Sequence, residues 1–229
     1  PLQLLKAIEP EGQDLKEPLL SLRDTTLITN SPTTPRLGSH LRKETDSADQ
    51  VDIIIAFIFF TGIRSFLEPL KELIGRGKQV RIITTTYQGQ TELRALQELE
   101  KIGAEIKVSY DTKKTRLHAK AWMFHRNTGY STVYIGSSNI SYSALETGIE
   151  WNIRASEQKN REIIEEFKVN FENYWENPSF KIFNEEEFIE RNEKTNQEGQ
   201  NNKSKIITSS ETNDIETLGF ENPYELYDF

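Results

Sequence analysis

The sequence predicts an α/β fold, a single domain in which helices flank a mixed, mostly parallel sheet. Strand-like and helix-like segments alternate between residues 51 and 110, which is the pattern of right-handed crossovers on a parallel sheet. Three further strand-like runs lie between residues 117 and 155, and an amphipathic helix follows at 157–176. This unit occurs once, because the chain contains no internal repeat.

The first predicted elements are short. "TTLITN" at 25–30 predicts a strand that ends in the turn-forming segment "SPTTPRLGS". A helix is predicted over 39–50, with Ser39 as its N-cap and His40 on its exposed surface. The run "VDIIIAFI" at 51–58 is apolar except for Asp52, so we expect a strand that is buried on both faces.

Apolar residues at intervals of three and four predict the next two helices, over 65–75 and 93–102, each ended by a glycine. The remaining strands are predicted at 79–86 and 104–110 and in the runs "LHAKAWMF" (117–124), "STVYIGS" (131–137) and "IEWNIRA" (149–155). The closing helix carries its apolar residues as one stripe, which predicts packing against the sheet.

Composition divides the chain into an N-terminal arm (1–24), a folded domain (25–184) and an acidic, polar tail or linker (185–229). The net charge of -8 comes from the tail, which holds 12 acidic and 4 basic residues, whereas the rest of the chain is balanced. The polar, low-complexity composition of the tail predicts that it is largely disordered.

Several classes of site are excluded by composition. The chain has no cysteine and three histidines, so disulfides and thiolate sites are impossible, and no metal or other cofactor is predicted. No apolar run approaches the roughly 18–20 residues that span a bilayer, so no membrane partner is expected. The absence of cysteine and of a secretory signal favours a cytoplasmic location.

The chemistry-bearing residues cluster in the strand-like runs after residue 116. On a strand, His118 and Lys120 share one face, about 6–7 Å apart. A cation beside an imidazole lowers its pKa and favours the neutral, nucleophilic form. "GSSN" follows the next strand, where Ser137 and Asn139 offer neutral hydrogen-bond donors. One nucleophile with several donors suits a phosphate that undergoes substitution.

"HAK" followed by "GSSN", with Glu150 eleven residues after Asn139, resembles the signature of the phospholipase D superfamily. The resemblance covers residues 25–176. It implies that His118 is the catalytic histidine, that Lys120, Ser137 and Asn139 bind phosphate, and that Glu150 orients a catalytic histidine. It also implies that Lys120 supplies electrostatic stabilisation without a metal.

One position departs from the family pattern, because His125 stands where the family has an aspartate. That aspartate is mainly supportive in the family, so the nucleophile and the phosphate ligands are retained. "HAKAWMFHR" followed by "GSSNIS" more closely resembles a subgroup of stand-alone nucleases and of domains fused ahead of DEAD/DEAH-box helicases. A helicase domain is therefore a candidate partner.

Enzymes of this family use two such histidine motifs, which face each other. One histidine forms a phosphohistidine and the other protonates the leaving group. Because this chain has one motif, we expect a homodimer in which the two copies of His118 meet at the interface. Trp122 and Phe124 share the face of His118, which fits either a seam between two copies or an ordinary core.

The leading hypothesis is a metal-independent phosphodiesterase, a nuclease that acts on DNA in preference to RNA. The stretch from Lys107 to Arg126 holds six basic residues against one aspartate, which favours an anionic ligand. The alternatives are a non-catalytic DNA-binding or dimerisation module and a phospholipid hydrolase or transferase. Candidate nucleic-acid contacts are Lys113, Lys114, Arg116, His125 and Arg126.

Overall fold

The computed structural model describes residues 18–31, 33–111 and 116–195. The strands in these ranges are β1 (Thr26–Thr29), β2 (Gln50–Ile55), β3 (Gln79–Thr85), β4 (Glu105–Ser109), β5 (Lys120–His125), β6 (Thr132–Gly136), β7 (Trp151–Ser156) and β8 (Phe180–Ile182). The α-helices are α1 (Leu37–Asp46), α2 (Phe60–Ile63), α3 (Leu67–Gly75), α4 (Leu93–Lys101) and α5 (Arg161–Glu176), and residues 185–195 form a further one. A 3₁₀ turn lies at Tyr87–Gly89 and a π turn at Ser143–Thr147.

All eight strands of the described ranges belong to one mixed sheet, in the order β1-β7-β6-β5-β2-β3-β4-β8. This confirms the predicted α/β class, but the expectation of mostly parallel pairing is wrong. Only β2–β3 and β3–β4 are parallel, and the other five neighbouring pairs are antiparallel. The short link between β5 and β6 explains part of this difference, because a parallel crossover needs a dozen or more residues.

The two faces of the sheet are covered by different helices. Buried residues of α1, α3 and α4 pack on one face, which we call the α1 face. Helix α5 packs on the other, the α5 face. Trp122 and Phe124 of β5 lie in the α1-face core, and the Trp122 ring centroid is 5.1 Å from that of Phe66. Of the two interpretations of these aromatics, the structure therefore supports the ordinary core.

Helix α1 begins at Leu37 rather than after the predicted N-cap Ser39. The side chain of Asn30 replaces a local cap, because its Oδ1 accepts a hydrogen bond from the N–H of Leu37 at 3.0 Å. The prediction that His40 is exposed is wrong. His40 lies on the buried stripe of α1 with Leu37 and Leu41, and burial lowers the pKa of its imidazole.

The folded unit extends beyond both predicted boundaries. Leu22 is fully buried, and Nη1 of Arg154 donates to the carbonyl oxygens of Ser21 at 3.0 Å and Asp24 at 2.6 Å. Residues 185–195 are helical, and Phe188 packs in the core. This part of the predicted tail is thus folded, because one buried aromatic anchors an otherwise polar helix. The rest of the predicted arm and tail, 1–17 and 196–229, lies outside the described residues.

A buried carboxylate connects α1 to three strands. Glu44 is 1% exposed, and its oxygens lie 2.5 Å from Nη2 of Arg126 and 2.7 Å from Nε of Arg154. The hydroxyl groups of Thr132 and Tyr134 also donate to it, each at 3.0 Å. Burial alone would raise the pKa of Glu44, but the two guanidinium groups outweigh it and hold the pKa at about 2.

Replacing Glu44 with glutamine should lower the free energy of unfolding by about 3–5 kcal/mol, because two buried guanidinium groups then lack a counterion. Urea unfolding at pH 7 measures this loss. The exposed Glu166→Gln serves as the control and should stay within about 0.5 kcal/mol of the wild type.

The same carboxylate predicts a pH dependence. The folded-state pKa of Glu44 lies below its unfolded value of about 4.3, so its stabilisation is present above that pH and is lost as the pH falls toward about 2. Unfolding of the wild type should therefore become easier in acid more steeply than unfolding of Glu44→Gln. Parallel pH profiles for the two proteins would contradict this assignment.

Candidate active site

His118 and Lys120 lie at the edge of the sheet where the parallel strands β2 and β3 end. Lys120 opens β5 and is in register with Ile55, the last residue of β2. The N–H of Ala56 donates to the carbonyl oxygen of Ala119 at 2.9 Å, which continues the pairing by one step. His118 therefore lies just beyond the carboxyl end of β2, a common location for ligand sites in α/β sheets.

The two side chains are in direct contact. Nζ of Lys120 lies 3.1 Å from Nδ1 of His118 and donates to the His118 carbonyl oxygen at 3.0 Å. Partial burial and the charge of Lys120 both lower the pKa of His118. Burial also lowers the pKa of Lys120, and the charge of Glu150 partly offsets this effect. The imidazole is exposed, so a ligand can reach it.

Ser137 and Glu150 join the site from the ends of β6 and β7. The N–H of Ser137 donates to the carbonyl oxygen of Trp151 at 3.1 Å, and the N–H of Trp151 donates to Oγ of Ser137 at 3.2 Å. Oγ of Ser137 in turn donates to Oε2 of Glu150. Because Glu150 also acts on the pKa of Lys120, the structure brings these three predicted residues together.

Asn139 is connected to His118 through Phe57. Its Oδ1 accepts a hydrogen bond from the N–H of Phe57 at 3.3 Å, and the Phe57 ring stands edge-on to His118, with 6.0 Å between the ring centroids. Ser138, between the two predicted phosphate ligands, turns inward and accepts a hydrogen bond from Nδ2 of the buried Asn152 at 2.9 Å. Because neighbouring side chains alternate in direction here, the side chain of Ser137 points outward, at the site.

Gly136 is required by a close approach of two strands. A Cβ atom at this position would lie 2.3 Å from the carbonyl oxygen of Trp151 and 2.3 Å from Oδ1 of Asn152. Any larger residue would therefore separate the end of β6 from β7. This explains why a glycine precedes Ser137 in "GSSN".

Two of the predicted nucleic-acid contacts, His125 and Arg126, lie away from His118 and contact acidic side chains within the domain. His125 ends β5, about 17 Å along the strand from Lys120, and its Nε2 lies 2.7 Å from Oδ2 of Asp52. Arg126 is buried against Glu44. Both residues serve the interior of the domain, at the opposite edge of the sheet from His118.

Arg116 is an exposed residue near the site, with its guanidinium 5.6 Å from the centre of the Tyr87 ring. Lys113 and Lys114 lie outside the described residues. Phe57 and Tyr87 were missed by the sequence analysis, although each follows the carboxyl end of a parallel strand. The rule that ligands bind beyond such ends would have found them.

Within the described ranges, no group of three or more histidine, aspartate or glutamate side chains is arranged to hold a metal ion. No helix in the same ranges is long and apolar enough to cross a membrane.

Comparison with known families matches residues 41–175 to the family described as "Cardiolipin synthase, PLD-like domain". The match covers more than half of the chain and includes every residue of the site. The chain belongs to the phospholipase D-like domain family. None of the curated proteins compared with it matches.

Solved structures show the same fold. NucT from Helicobacter pylori is similar, with a TM-score of 0.55 and 21% sequence identity over 70% of this chain and 99% of that one. The phospholipase D family member Nuc from Salmonella typhimurium gives a TM-score of 0.52 and 16% identity, again over 70% of this chain and 99% of the other. The phospholipase D-like fold therefore accounts for about two thirds of the chain.

In this phospholipase D-like domain, the absence of the family aspartate at position 125 is matched by a carboxylate on the neighbouring strand. Asp52 of β2 is buried, accepts two hydrogen bonds of 2.8 Å from Arg81 and lies 2.7 Å from Nε2 of His125. Burial would raise the pKa of Asp52, but hydrogen bonds from His125 and Arg81 lower it. The end of β5 thus contacts a buried carboxylate, although position 125 itself carries none.

Restoring the family residue should destabilise the protein. His125→Asp would place a second carboxylate against the buried Asp52, and we expect a loss of about 1–3 kcal/mol in the free energy of unfolding. His125→Gln keeps a hydrogen-bond donor and should lose less. Urea unfolding at pH 7 compares the two variants, and an Asp variant as stable as the wild type would contradict the pairing.

Removing the charge of Lys120 should raise the pKa of His118, because a nearby cation disfavours the imidazolium. The pH titration of the His118 Cε1–H signal by NMR measures this directly in the wild type and in Lys120→Gln. Lys181→Gln, on the distant β8, is the control and should leave the titration unchanged. Coincident curves for the wild type and Lys120→Gln would show that the two groups do not interact.

Proposed function

We propose that this chain is a metal-independent phosphodiesterase that cleaves nucleic acid through a phosphohistidine intermediate. The observation that carries the proposal is the exposed His118 imidazole with Nζ of Lys120 3.1 Å away. The lysine lowers the pKa of the imidazole and offers a fixed positive charge to a phosphate. Ser137 and Asn139 add donors at the same edge of the sheet.

The reaction proceeds in two displacements. A nitrogen lone pair of His118 attacks phosphorus, the P–N bond forms and the bond to the leaving oxygen breaks as that oxygen takes a proton from a second imidazole. The second imidazole, now neutral, removes a proton from water. The resulting hydroxide attacks phosphorus, the P–N bond breaks and both imidazoles return to their starting states.

The second imidazole comes from a second copy of the chain. The sequence has three histidines, and the two others are engaged elsewhere. His40 is buried in the α1 stripe, and His125 pairs with Asp52 at the far end of β5. A homodimer that brings two copies of His118 together therefore completes the site.

An exposed apolar surface beside the site is the proposed interface. Ile149 and Trp151 flank Glu150 in the sequence and are 91% and 62% exposed. On the α5 face, Trp151 is followed by the exposed Ile153, which pairs in register with the exposed Ile135 of β6 and Leu27 of β1. Contiguous exposed apolar surface of this kind marks an interaction site.

Glu150 lies between Ile149 and Trp151 in the sequence, next to this surface. Its carboxylate bonds to Ser137 and is not hydrogen-bonded to His118 of its own chain. In the dimer it is placed to orient His118 of the second copy, the role that the family resemblance assigns to it.

Nucleic acid is the proposed substrate because the exposed residues around the site include arginines and aromatic rings, among them Arg116 over Tyr87. DNA is the first substrate to test, and the motifs that resemble helicase-fused relatives extend the proposal to a helicase partner. The non-catalytic alternative depended on His125, but this residue lies at the opposite end of β5 and pairs with Asp52.

Cleavage of a labelled oligodeoxynucleotide in excess EDTA tests the chemistry. The wild type should cleave, and His118→Ala should lose at least about 10²–10⁴-fold, the range for loss of a proton-transfer group alone. His125→Gln is the matched histidine control and should retain cleavage. Activity that disappears in EDTA would refute the histidine mechanism, and binding without cleavage by the wild type would favour the non-catalytic module.

The shared site predicts a mixing result. An equal mixture of wild type and His118→Ala, after subunit exchange, should show about one quarter of the activity of wild type at the same total protein concentration if each site needs both histidines, and about one half if the sites are independent.

The interface itself is tested by Trp151→Asp. This variant should sediment as a monomer and should be inactive in the cleavage assay. Ile182→Asp is the control, because Ile182 is 75% exposed on β8 at the opposite edge of the sheet. A dimeric Trp151→Asp would place the interface elsewhere.

A further inference from the structure

One side of the site carries a tyrosine and an arginine in contact. The ring of Tyr87 stacks on Phe57 at 6.5 Å between centroids, and Phe57 stands against His118. Arg116 lies over the same tyrosine ring, 5.6 Å from its centre. One ring, that of Phe57, therefore lies between the half-buried Tyr87 and the His118 imidazole, and a guanidinium lies beside Tyr87.

The backbone next to Tyr87 adopts a conformation that is uncommon for residues other than glycine. The next residue, Gln88, has φ 59°, and it is the one non-glycine residue with positive φ in the described ranges. The N–H of Tyr87 donates to Oγ1 of Thr85 at 3.1 Å, and Thr85 donates to the carbonyl oxygen of Ser109 at 2.9 Å. Strain of this kind persists where the surroundings fix it and is frequent at binding sites.

A groove of about 570 Å³ is lined by Phe59, Thr61, Arg64, Ser141, Tyr142 and Ser143. It begins two residues beyond Phe57 and Asn139, about 6–7 Å along extended chain. The N–H of Phe59 donates to the carbonyl oxygen of Ile140 at 2.8 Å and holds the two sides of the groove together.

The groove has its own tyrosine and arginine. Tyr142 is 51% exposed, and Arg64 is exposed. No carboxylate of the described residues forms an ion pair with Arg64, whereas Arg42, in the adjoining recess, is paired with Glu146 at 2.8 Å. Arg64 is thus available to an anionic ligand, and the hydroxyl groups along the groove can donate to the same ligand.

We propose that these two surfaces form one track for single-stranded nucleic acid, which crosses the site with the scissile phosphate at His118. A base on one side stacks on Tyr87 and a base on the other side stacks on Tyr142. Arg116 and Arg64 bind the flanking phosphates. The proposal deepens the proposed function and rests on it for the phosphate at His118.

The chemistry of the track selects a single strand over a duplex. Aromatic rings that accept bases irrespective of sequence, interleaved with cations, are the mark of proteins that bind single strands. In a duplex the bases are already stacked on one another, and a tyrosine reaches them only after they are unstacked. The groove volume lies within the roughly 300–1,000 Å³ typical of ligand pockets, which leaves room for a nucleotide.

Fluorescence anisotropy in EDTA, with His118→Ala in every protein to prevent cleavage, tests the track. The probes are a short oligothymidine, an abasic strand of the same length and a duplex. Tyr87→Ala and Tyr142→Ala should each weaken oligothymidine binding by about 5- to 150-fold and leave abasic binding unchanged. Tyr142→Phe, which keeps the ring, should restore affinity.

The arginine variants should change the salt dependence of binding. Arg64→Gln and Arg116→Gln should each lower the slope of log affinity against log salt by about 0.7 on both single strands. Tyr174→Ala and Arg161→Gln, on the surface of α5, are matched controls and should change neither affinity nor slope.

The outcomes separate this proposal from the catalytic one. Binding that follows these expectations while the wild type fails to cleave would support the track and refute the catalytic proposal. Cleavage by the wild type with tyrosine variants that bind normally would refute the track. Preference for the duplex would also overturn it. A loss of binding to phosphatidylglycerol vesicles in Tyr142→Ala and Arg64→Gln, with oligothymidine binding unchanged, would overturn it too.

Discussion

The arrangement of the site depends on one buried carboxylate. Glu44 projects from α1 and contacts Arg126 at the end of β5, Thr132 and Tyr134 on β6, and Arg154 on β7. The residues proposed to bind and attack the phosphate lie on these three strands or close to their ends. A buried carboxylate is tolerable only when it is paired and fully hydrogen-bonded, so the ion cluster permits few relative positions of the strands. The spacing between Lys120, Ser137 and Glu150 is set at one end of the strands by charges at the other.

The parallel and the antiparallel strands of the sheet contribute different parts of the proposed site. The parallel strands β2 and β3 end at the proposed site and are followed there by Phe57 and Tyr87, whereas the antiparallel strands β5, β6 and β7 carry the proposed reacting groups at or near their ends. Two strands entering from opposite directions bring a residue at the start of β5 beside one at the end of β6 without a long connection. The antiparallel half of the sheet, which the sequence analysis underestimated, is what makes the cluster compact.

Much of this could be predicted because it depends on local periodicity. The alternation in β5 placed Trp122 and Phe124 on one face and Ala121 and Met123 on the other, as the structure shows. The spacing of "HAK" and "GSSN" also identified residues that the structure brings together. The buried ion cluster could not be predicted in this way, because Glu44, Arg126 and Arg154 are far apart in the chain and each resembles a surface residue. Phe188 was missed for a related reason, since a single buried ring does not change the composition of a polar helix.

The pairing of Asp52 with His125 has a consequence for how related sequences are compared. At this end of β5 the chain pairs a buried carboxylate on β2 with a hydrogen-bond donor on β5, and the same two groups would keep the charge balance in either order. Position 125 and position 52 should therefore vary together, with an acidic residue at one accompanied by a basic or amide residue at the other. A search pattern that insists on aspartate at a single position would discard members whose charge balance is intact.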